Sequence, residues 1–245
     1  MGIYRGPVYN SVSEITGPTG WYNVQTTLGP TLVWVDQDYD GGGWVLALAN
    51  RRYTSGMNNL TYDNAINTVN YRTDGTDDST NTTLPVSRQL LGKDLTDVNV
   101  FLGLKYWSEL AGRESSNNTT VVQFVSATNG TALSATSSHN HRHRWRAAGF
   151  NGNYGFTSAV SIANEVGGVS PGMLSHAGSS NPLSTYDNDN DSNGGSCSSY
   201  YNNNPWWYSS CWGGNQFAGG GYNDGPYWTS STSEYSYQYG AIYIK

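Results

Sequence analysis

Apolar and polar residues alternate in short bursts along this chain, and glycine, proline and asparagine bound most of the bursts. Trp21-Tyr22-Asn23-Val24-Gln25 and Thr31-Leu32-Val33-Trp34-Val35 carry the two-residue period of half-buried strands, with Gly29-Pro30 between them. Asp40-Gly41-Gly42-Gly43 leads into a further strand, Trp44-Val45-Leu46-Ala47-Leu48. That glycine run reads as a tight hairpin connection, because no Lys-Ser or Lys-Thr follows it and a strand rather than a helix comes next. Later strands are predicted over Asn99–Leu104, Thr119–Ala127 and His141–Ala148, the last two paired around an Asn129-Gly130 turn. One short helix is predicted over Asp63–Val69, with helical turns at Ser87–Leu91 and Trp107–Leu110. Residues 149–180 read as loop. After Cys211 the chain is glycine-rich until Glu234–Lys245, a closing strand with Ala241, Tyr243 and Lys245 on one face.

With 245 residues and no polar or charged linker, one large β-rich domain is expected rather than two small ones. Charged residues make up only 12% of the chain, while aromatics reach 13%, with 19 Tyr and 9 Trp. A polar but uncharged surface rich in flat rings suits the recognition of sugars and proteins, since each ring joins apolar area to a polar handle. The formal net charge of −6 argues against nucleic acid as a partner. No apolar run approaches bilayer length, so membrane insertion is not expected. Met1-Gly2-Ile3-Tyr4-Arg5 does not begin a secretory signal peptide, which points to a removed signal or to another exit route, such as that of a virion component. Gly2 is a poor myristoylation site because of the residues that follow it. Five N-x-S/T triplets, at Asn59, Asn81, Asn117, Asn118 and Asn129, are what chance gives in a chain this rich in Asn and Thr.

Candidate chemistry concentrates in S-T-Y-D-N-D-N-D-S-N-G-G-S-C, residues 184–197. Asp187, Asp189 and Asp191 alternate ahead of small residues and glycines. Carboxylates that close repel unless water or a cation intervenes, and calcium takes several oxygen ligands on an adaptable loop. An EF-hand does not fit: counting from Asp189 puts Gly194 at the sixth position but Tyr200 where the bidentate glutamate belongs. A metal-free Asx-rich turn is the plain alternative. The only two cysteines, Cys197 and Cys211, bracket Trp206 and Trp207, and with no third cysteine they are bridged to each other, bridged to another chain, or free. His139, His141 and His143 alternate with Arg142, Arg144 and Arg146. Imidazoles at that spacing can bind zinc or iron, but no carboxylate or cysteine completes the set, and a basic strand with acidic neighbours is the better reading. No nucleophile elbow or legible catalytic acid pair occurs, so an enzyme is not expected. Trp44, Trp206, Trp207 and Trp228 are read as packing residues.

Several segments in order resemble the fibrinogen-related domain: V-W-V-D-Q-D-Y-D-G-G-G-W at Val33–Trp44, M-L-S-H at Met173–His176, and S-T-Y-D-N-D-N-D at Ser184. P-W-W-Y-S-S-C at Pro205, Y-N-D-G-P-Y-W at Tyr222 and the final hydrophobic strand continue the series. The resemblance covers residues 16–245, after an extended lead-in over 1–15, and is densest from 171 onward. It implies an α+β, β-rich fold with a central antiparallel sheet, short helices and a loop-rich binding subdomain over about 171–245. The family, which includes fibrinogen chain ends, ficolins, tachylectins and intelectins, binds peptide termini or exposed sugars.

Carried over residue by residue, the resemblance implies Ca2+ held by the carboxylates of Asp189 and Asp191 and the carbonyls of Asn193 and Gly195. It also implies a Cys197–Cys211 disulfide, a cis peptide at Ser210-Cys211, and a ligand pocket of Tyr201, Ser210, Cys211, Trp212, Tyr222 and Asn223. Three departures stand out: Val35 occupies a family cysteine position, Trp212 stands where acetyl-binding members carry histidine, and the intercysteine loop is slightly long. The expected function is a calcium-stabilised lectin-like domain binding glycans or cell-surface ligands. It would be extracellular or on a virion surface, as a fibre or adhesin component with a glycan or receptor partner and homo-oligomer or virion neighbours. A structural fibre or decoration protein with no pocket in use is the alternative.

Overall fold

The computed structural model describes residues 6–51, 59–67, 69–73, 98–111, 114–116, 119–129, 141–148, 158–166, 182–208, 210–211, 214–215, 227–229, 234–236 and 239–245. The N-terminal strands form as their alternation predicts. Strands β2 (Gly20–Thr26) and β3 (Gly29–Asp36) pair antiparallel, and Val24, Val33 and Val35 turn into the core. The turn between them is Thr27-Leu28, so Gly29 and Pro30 belong to β3 itself. The carboxylate of Glu109 clasps this tip, accepting from Thr27 N at 2.8 Å and from Thr27 Oγ1 at 2.6 Å.

The step from β3 to β4 (Trp44–Arg51) depends on glycine. Asp40 and Gly41 to Gly43 all take positive φ, between 39° and 79°. A Cβ at Gly42 would collide with the side chain of Gln37 and stand 3.0 Å from that residue's carbonyl oxygen. The Gln37 amide oxygen meanwhile accepts from Gly43 N at 2.9 Å, closing the connection. Here the glycine run serves a tight turn between paired strands.

The lead-in is drawn onto the domain. Strand β1 (Val8–Tyr9) pairs parallel with β2, and a 3-10 turn over Val12–Glu14 delivers Val12 and Ile15 to the core. Helix α1 (Tyr62–Asn67) buries Ala65 and Ile66. Strands β5 (Val69–Thr73) and β6 (Val98–Leu102) pair, and β6 joins β4. Helix α2 (Leu104–Leu110) begins earlier than its expected turn, because Leu104, Trp107 and Ala111 recur at helical spacing and all are buried. The expected turn at Ser87–Leu91 lies outside the described residues.

Strand β7 (Glu114–Ser116) pairs with β8 (Thr119–Asn129), which pairs with β9 (His141–Ala148) as predicted. Strand β10 (Ser158–Val166) adds to β9, where the sequence reading expected loop. Its run S-A-V-S-I-A-N-E-V is mostly small and polar. Two register irregularities further blur its alternation, so a neighbouring strand rather than an intrinsic pattern makes it extended. The closing segment is two strands: β13 (Glu234–Ser236) belongs to a small sheet with β11 (Gly214–Asn215) and β12 (Tyr227–Thr229), whereas β14 (Tyr239–Ile244) enters the main sheet.

Among the described residues the main sheet has 11 strands, with the path β1-β2-β3-β4-β14-β8-β9-β10. The C-terminal strand therefore lies in the middle, hydrogen-bonded to β4 on one flank and β8 on the other. The core packs Val35, Val45, Leu48, Phe101 and Ile242 from the sheet against Trp107 and against Trp206, Trp207 and Tyr208 from the later loop. Val35, at the place of a family cysteine, is fully buried there. Trp44 is buried outside this cluster, with Lys245 Nζ 5.5 Å above its ring.

Burial, and then the nearby Asp36 carboxylate, push the Tyr243 phenol up to about 12. The unfolded value is about 10, so this stabilising contribution is complete below pH ~10 and is lost as pH rises through the folded value. Tyr243→Phe should flatten the loss of stability between about pH 10 and 12, measured by denaturant titration across that range.

Candidate functional site

The loop over 182–211 has little regular structure, and its own side chains supply the missing hydrogen bonds. Ser184 and Trp206 form an isolated antiparallel bridge, with N–H···O contacts of 2.9 and 3.0 Å in the two directions. A tight turn follows, in which Thr185 and Asn188 exchange backbone bonds. Asn190 then pins the chain back: its N–H donates to Ser184 Oγ at 3.0 Å and its Nδ2 to Leu183 O at 2.8 Å. These Asx contacts replace a strand ladder and explain why so many Asn and Asp residues crowd this segment.

The three alternating carboxylates divide their work. Asp187 Oδ1 accepts from Thr185 Oγ1 at 2.7 Å and from Tyr62 N at 3.0 Å. It therefore ties the first turn of α1 to this loop, a contact spanning 125 residues. Asp189 and Asp191 instead accept from backbone amides of their own segment. Asp189 Oδ1 accepts from Asp191 N at 3.2 Å, while Asp191 accepts from Asn193 N and Cys197 N, each at 2.8 Å. Burial raises the Asp191 carboxyl above the usual carboxylate range. The Cys197 and Asn193 amides oppose that shift, and the adjacent Asp189 carboxyl reinforces it.

What this loop offers a cation is oxygen: two neighbouring carboxyls, then the backbone of an exposed bend over Ser192–Gly195. Side chains at Gly194 or Gly195 would meet nothing within 4 Å, so the bend is open to solvent. Among the described residues no group of three or more His, Cys, Asp or Glu side chains is placed to hold a metal, so carbonyls and water would have to complete any shell. That donor chemistry fits a hard, oxygen-seeking ion.

The disulfide joins Cys197 to Cys211 with a Cα–Cα distance of 5.0 Å. Asn193 links it to the acidic bend, donating from Nδ2 to Cys211 Sγ at 2.8 Å while its Oδ1 accepts from Gly194 N at 2.8 Å. Cys197 opens the single-turn helix α3 (Cys197–Tyr200), capped by Ser196 Oγ, which accepts from Ser199 N. The turn ends on Asn202 and Asn203, both at φ 57°, a conformation asparagine tolerates. Asn203 and Asn59 then bond each other through backbone and side chain.

The expected pocket residues do not share one environment. Tyr201 is only 6% exposed and its ring stacks on Tyr208, with centroids 6.0 Å apart, so it joins the core. Ser210 is exposed and Cys211 half-buried. Trp212, Tyr222 and Asn223 lie outside the described residues, as does His139; His141 and His143 fall opposite Thr128 and Ser126 in the β8–β9 register. The Ser210–Cys211 peptide is trans, since the described residues contain no cis bond, and Cys211 instead takes φ 70°. Trp206 and Trp207 are buried as packing residues, Trp207 standing 5.9 Å from Trp107 between ring centroids.

The residue the sequence did not single out is Tyr200. It is 76% exposed and borders an open depression of about 520 Å³, together with Asn193, Gly195, Ser196, Ser199 and Cys211. Two adjacent tyrosines gave no hint of which faces out, because α3 is a single turn whose rotation only packing sets.

The fold agrees with those of known proteins. The chain is similar to the fibrinogen-like globe domain of human ANGPTL6, with 19% identity, a TM-score of 0.60, and coverage of 98% of this chain and 96% of that one. It is also similar to the fibrinogen-like globe domain of human ANGPTL2, with 19% identity, a TM-score of 0.58, and coverage of 96% and 95%. A search of curated protein sequences returns no match. Fibrinogen-like domains often serve ligand recognition and are typically extracellular. The family profile for the C-terminal globular domain of fibrinogen beta and gamma chains matches residues 92–244, well over half of the chain, and this protein belongs to that family.

Proposed function

We propose that this domain is a calcium-stabilised recognition module that binds glycans or other cell-surface ligands outside the cell, as an adhesin or as part of a virion fibre. The observation that carries the reading is the coupling of the acidic bend to the disulfide through Asn193, which contacts Cys211 Sγ and follows Asp189 and Asp191. Asp189 and Asp191 would hold the ion through carboxylates, and Asn193 and Gly195 through carbonyls. A bound calcium supplies positive charge that relieves the repulsion between the two carboxylates and fixes the bend. Ser210, Cys211, Trp212, Tyr222 and Asn223 would form the ligand surface beside it, with Tyr201 supporting it from beneath. A surface poor in charge and rich in Tyr, Asn and Thr suits neutral sugars, and a disulfide suits an oxidising compartment. The family context and the absence of a legible acid pair favour binding over catalysis.

A second reading has its own support. Tyr201, an aromatic wall in the expected pocket, is packed against Tyr208. That placement favours a structural fibre or decoration protein in which the pocket is filled and unused.

With only two carboxylates, calcium affinity should fall in the weak extracellular range of about 10⁻⁴ to 10⁻³ M. Excess calcium should raise the melting temperature by mass action, and Asp189→Ala should abolish the rise. A calcium-independent melting temperature in the unmutated protein would sink the metal site. Reducing the disulfide should lower stability by up to about 3 kcal/mol for a loop of this length, and should also shrink the calcium-induced shift because Asn193 loses its anchor. Calorimetry with and without reductant measures both effects. On a glycan array in calcium, attachment should weaken with Trp212→Ala or Tyr222→Ala. Unchanged attachment in both variants would move the recognition surface elsewhere.

A further inference from the structure

We propose that Asn193 is a site of spontaneous covalent modification, in which the backbone nitrogen of Gly194 closes on the Asn193 side chain and converts its amide to a carboxylate. The chain has three Asn-Gly pairs, at Asn129, Asn151 and Asn193, and Asn151 lies outside the described residues. A following glycine matters because it lacks the Cβ that obstructs ring closure, and its backbone turns freely. The two described asparagines differ in what holds them. Asn129 ends β8 and pairs with Tyr239 of the central strand β14. A peptide in such a ladder reaches a reactive geometry only when the strand opens. Asn193 is exposed, in a bend that belongs to no strand or helix.

Local contacts aim the reacting atoms at each other. Gly194 N donates to Asn193 Oδ1 at 2.8 Å, and a C=O bond of about 1.2 Å places that nitrogen within about 4 Å of Cγ. Asn193 Nδ2 is held on the other side, 2.8 Å from Cys211 Sγ, while Asn193 N donates to Asp191 Oδ1 at 2.8 Å. The side chain is therefore fixed between the sulfur and Gly194, with Cγ in the middle. A Cβ at Gly194 or Gly195 would meet nothing within 4 Å, so the bend has room to rearrange.

The step needs only water. Gly194 N gives its proton to solvent and bonds to Cγ; the Cγ–Nδ2 bond breaks and Nδ2 leaves as ammonia. Water then opens the resulting succinimide at one of its two carbonyls. Attack at Cγ gives aspartate. Attack at the main-chain carbon gives isoaspartate, in which the chain runs through Cγ and the former main-chain carbonyl becomes the carboxylate. One water enters, one ammonia leaves, and nothing is oxidised or reduced. Either product sets a third carboxylate beside Asp189 and Asp191 and removes the amide that donates to Cys211 Sγ. It also adds one negative charge to a chain already at −6. The ammonia is lost to solvent, so the modified form accumulates with the age of the molecule.

The test holds the whole unmutated chain at mildly alkaline pH and body temperature for days, and follows each Asn-Gly pair by peptide mapping for the gain of one mass unit. Asn193 should convert at least about tenfold faster than Asn129, whose strand must first open. Gly194→Ala should slow conversion of Asn193 about tenfold or more, with the melting temperature unchanged. Conversion of Asn129 as fast as Asn193 would overturn the assignment. So would an Asn193 that converts only once the chain is unfolded in denaturant, because the native bend would then protect the amide. An acidic species that grows on ion exchange at the same rate in Gly194→Ala would overturn it too, by placing the lost amide elsewhere.

Discussion

The placement of β14 is the constraint on which the rest of the structure depends. The last strand of the chain lies between β4 and β8, with Tyr239 opposite both Arg51 and Asn129, and Ile244 opposite both Val45 and Phe124. Both of its edges are consumed by partners far away in sequence, so the sheet is complete only when the C-terminus arrives. The described residues between β10 and β14, including 182–208, lie outside the main sheet. The site loop lies there. Pairing of this range should make folding slow relative to domains of local contacts, since loop closure precedes the contacts that reward it.

The part over 182–211 is held by two different means. Trp206, Trp207 and Tyr208 reach into the same core as Trp107 and Phe101, so the loop is anchored by buried aromatic area. Truncating a buried residue of that size typically costs about 3–5 kcal/mol. Between those anchors the backbone lacks strand partners, and Asp187, Asn190, Asn193 and Asn203 supply side-chain bonds in their place. The Asn59–Asn203 and Tyr62–Asp187 contacts add ties to the N-terminal half. A shape fixed without a regular ladder leaves backbone carbonyls and small side chains facing solvent, which is what a cation or a sugar needs.

The Asp189–Asp191 pair sets opposing electrostatic demands within this loop. Asp191 receives two backbone amides that favour its charge, yet burial and its neighbouring carboxyl oppose that charge. The disulfide and Asn193 hold the far side of this segment. Acidic bend, sulfur bridge and the hollow by Tyr200 are therefore neighbouring parts of one surface, and a change in any of them bears on the others.

Much of this was legible in the chain itself. Strands β2, β3, β4, β8 and β9 follow from alternation, because a half-buried strand needs a two-residue period. The hairpin glycines follow from φ values that only glycine adopts freely. Ordered motifs from Ser184 to Cys211 identified the family. What alternation could not supply was β10, whose small polar residues become a strand only against β9, or the capture of residues 8–15 by β2 and the core. Nor could it tell Tyr200 from Tyr201, assign Asp187 to α1 rather than to its neighbouring carboxylates, or replace the expected cis bond by a left-handed Cys211. Local periods report which face of an element prefers water. Which carboxylate finds a distant amide is decided by a contact between segments 125 residues apart, and which side chain of a single helical turn is buried by packing against Tyr208 and the core, and no local period encodes either.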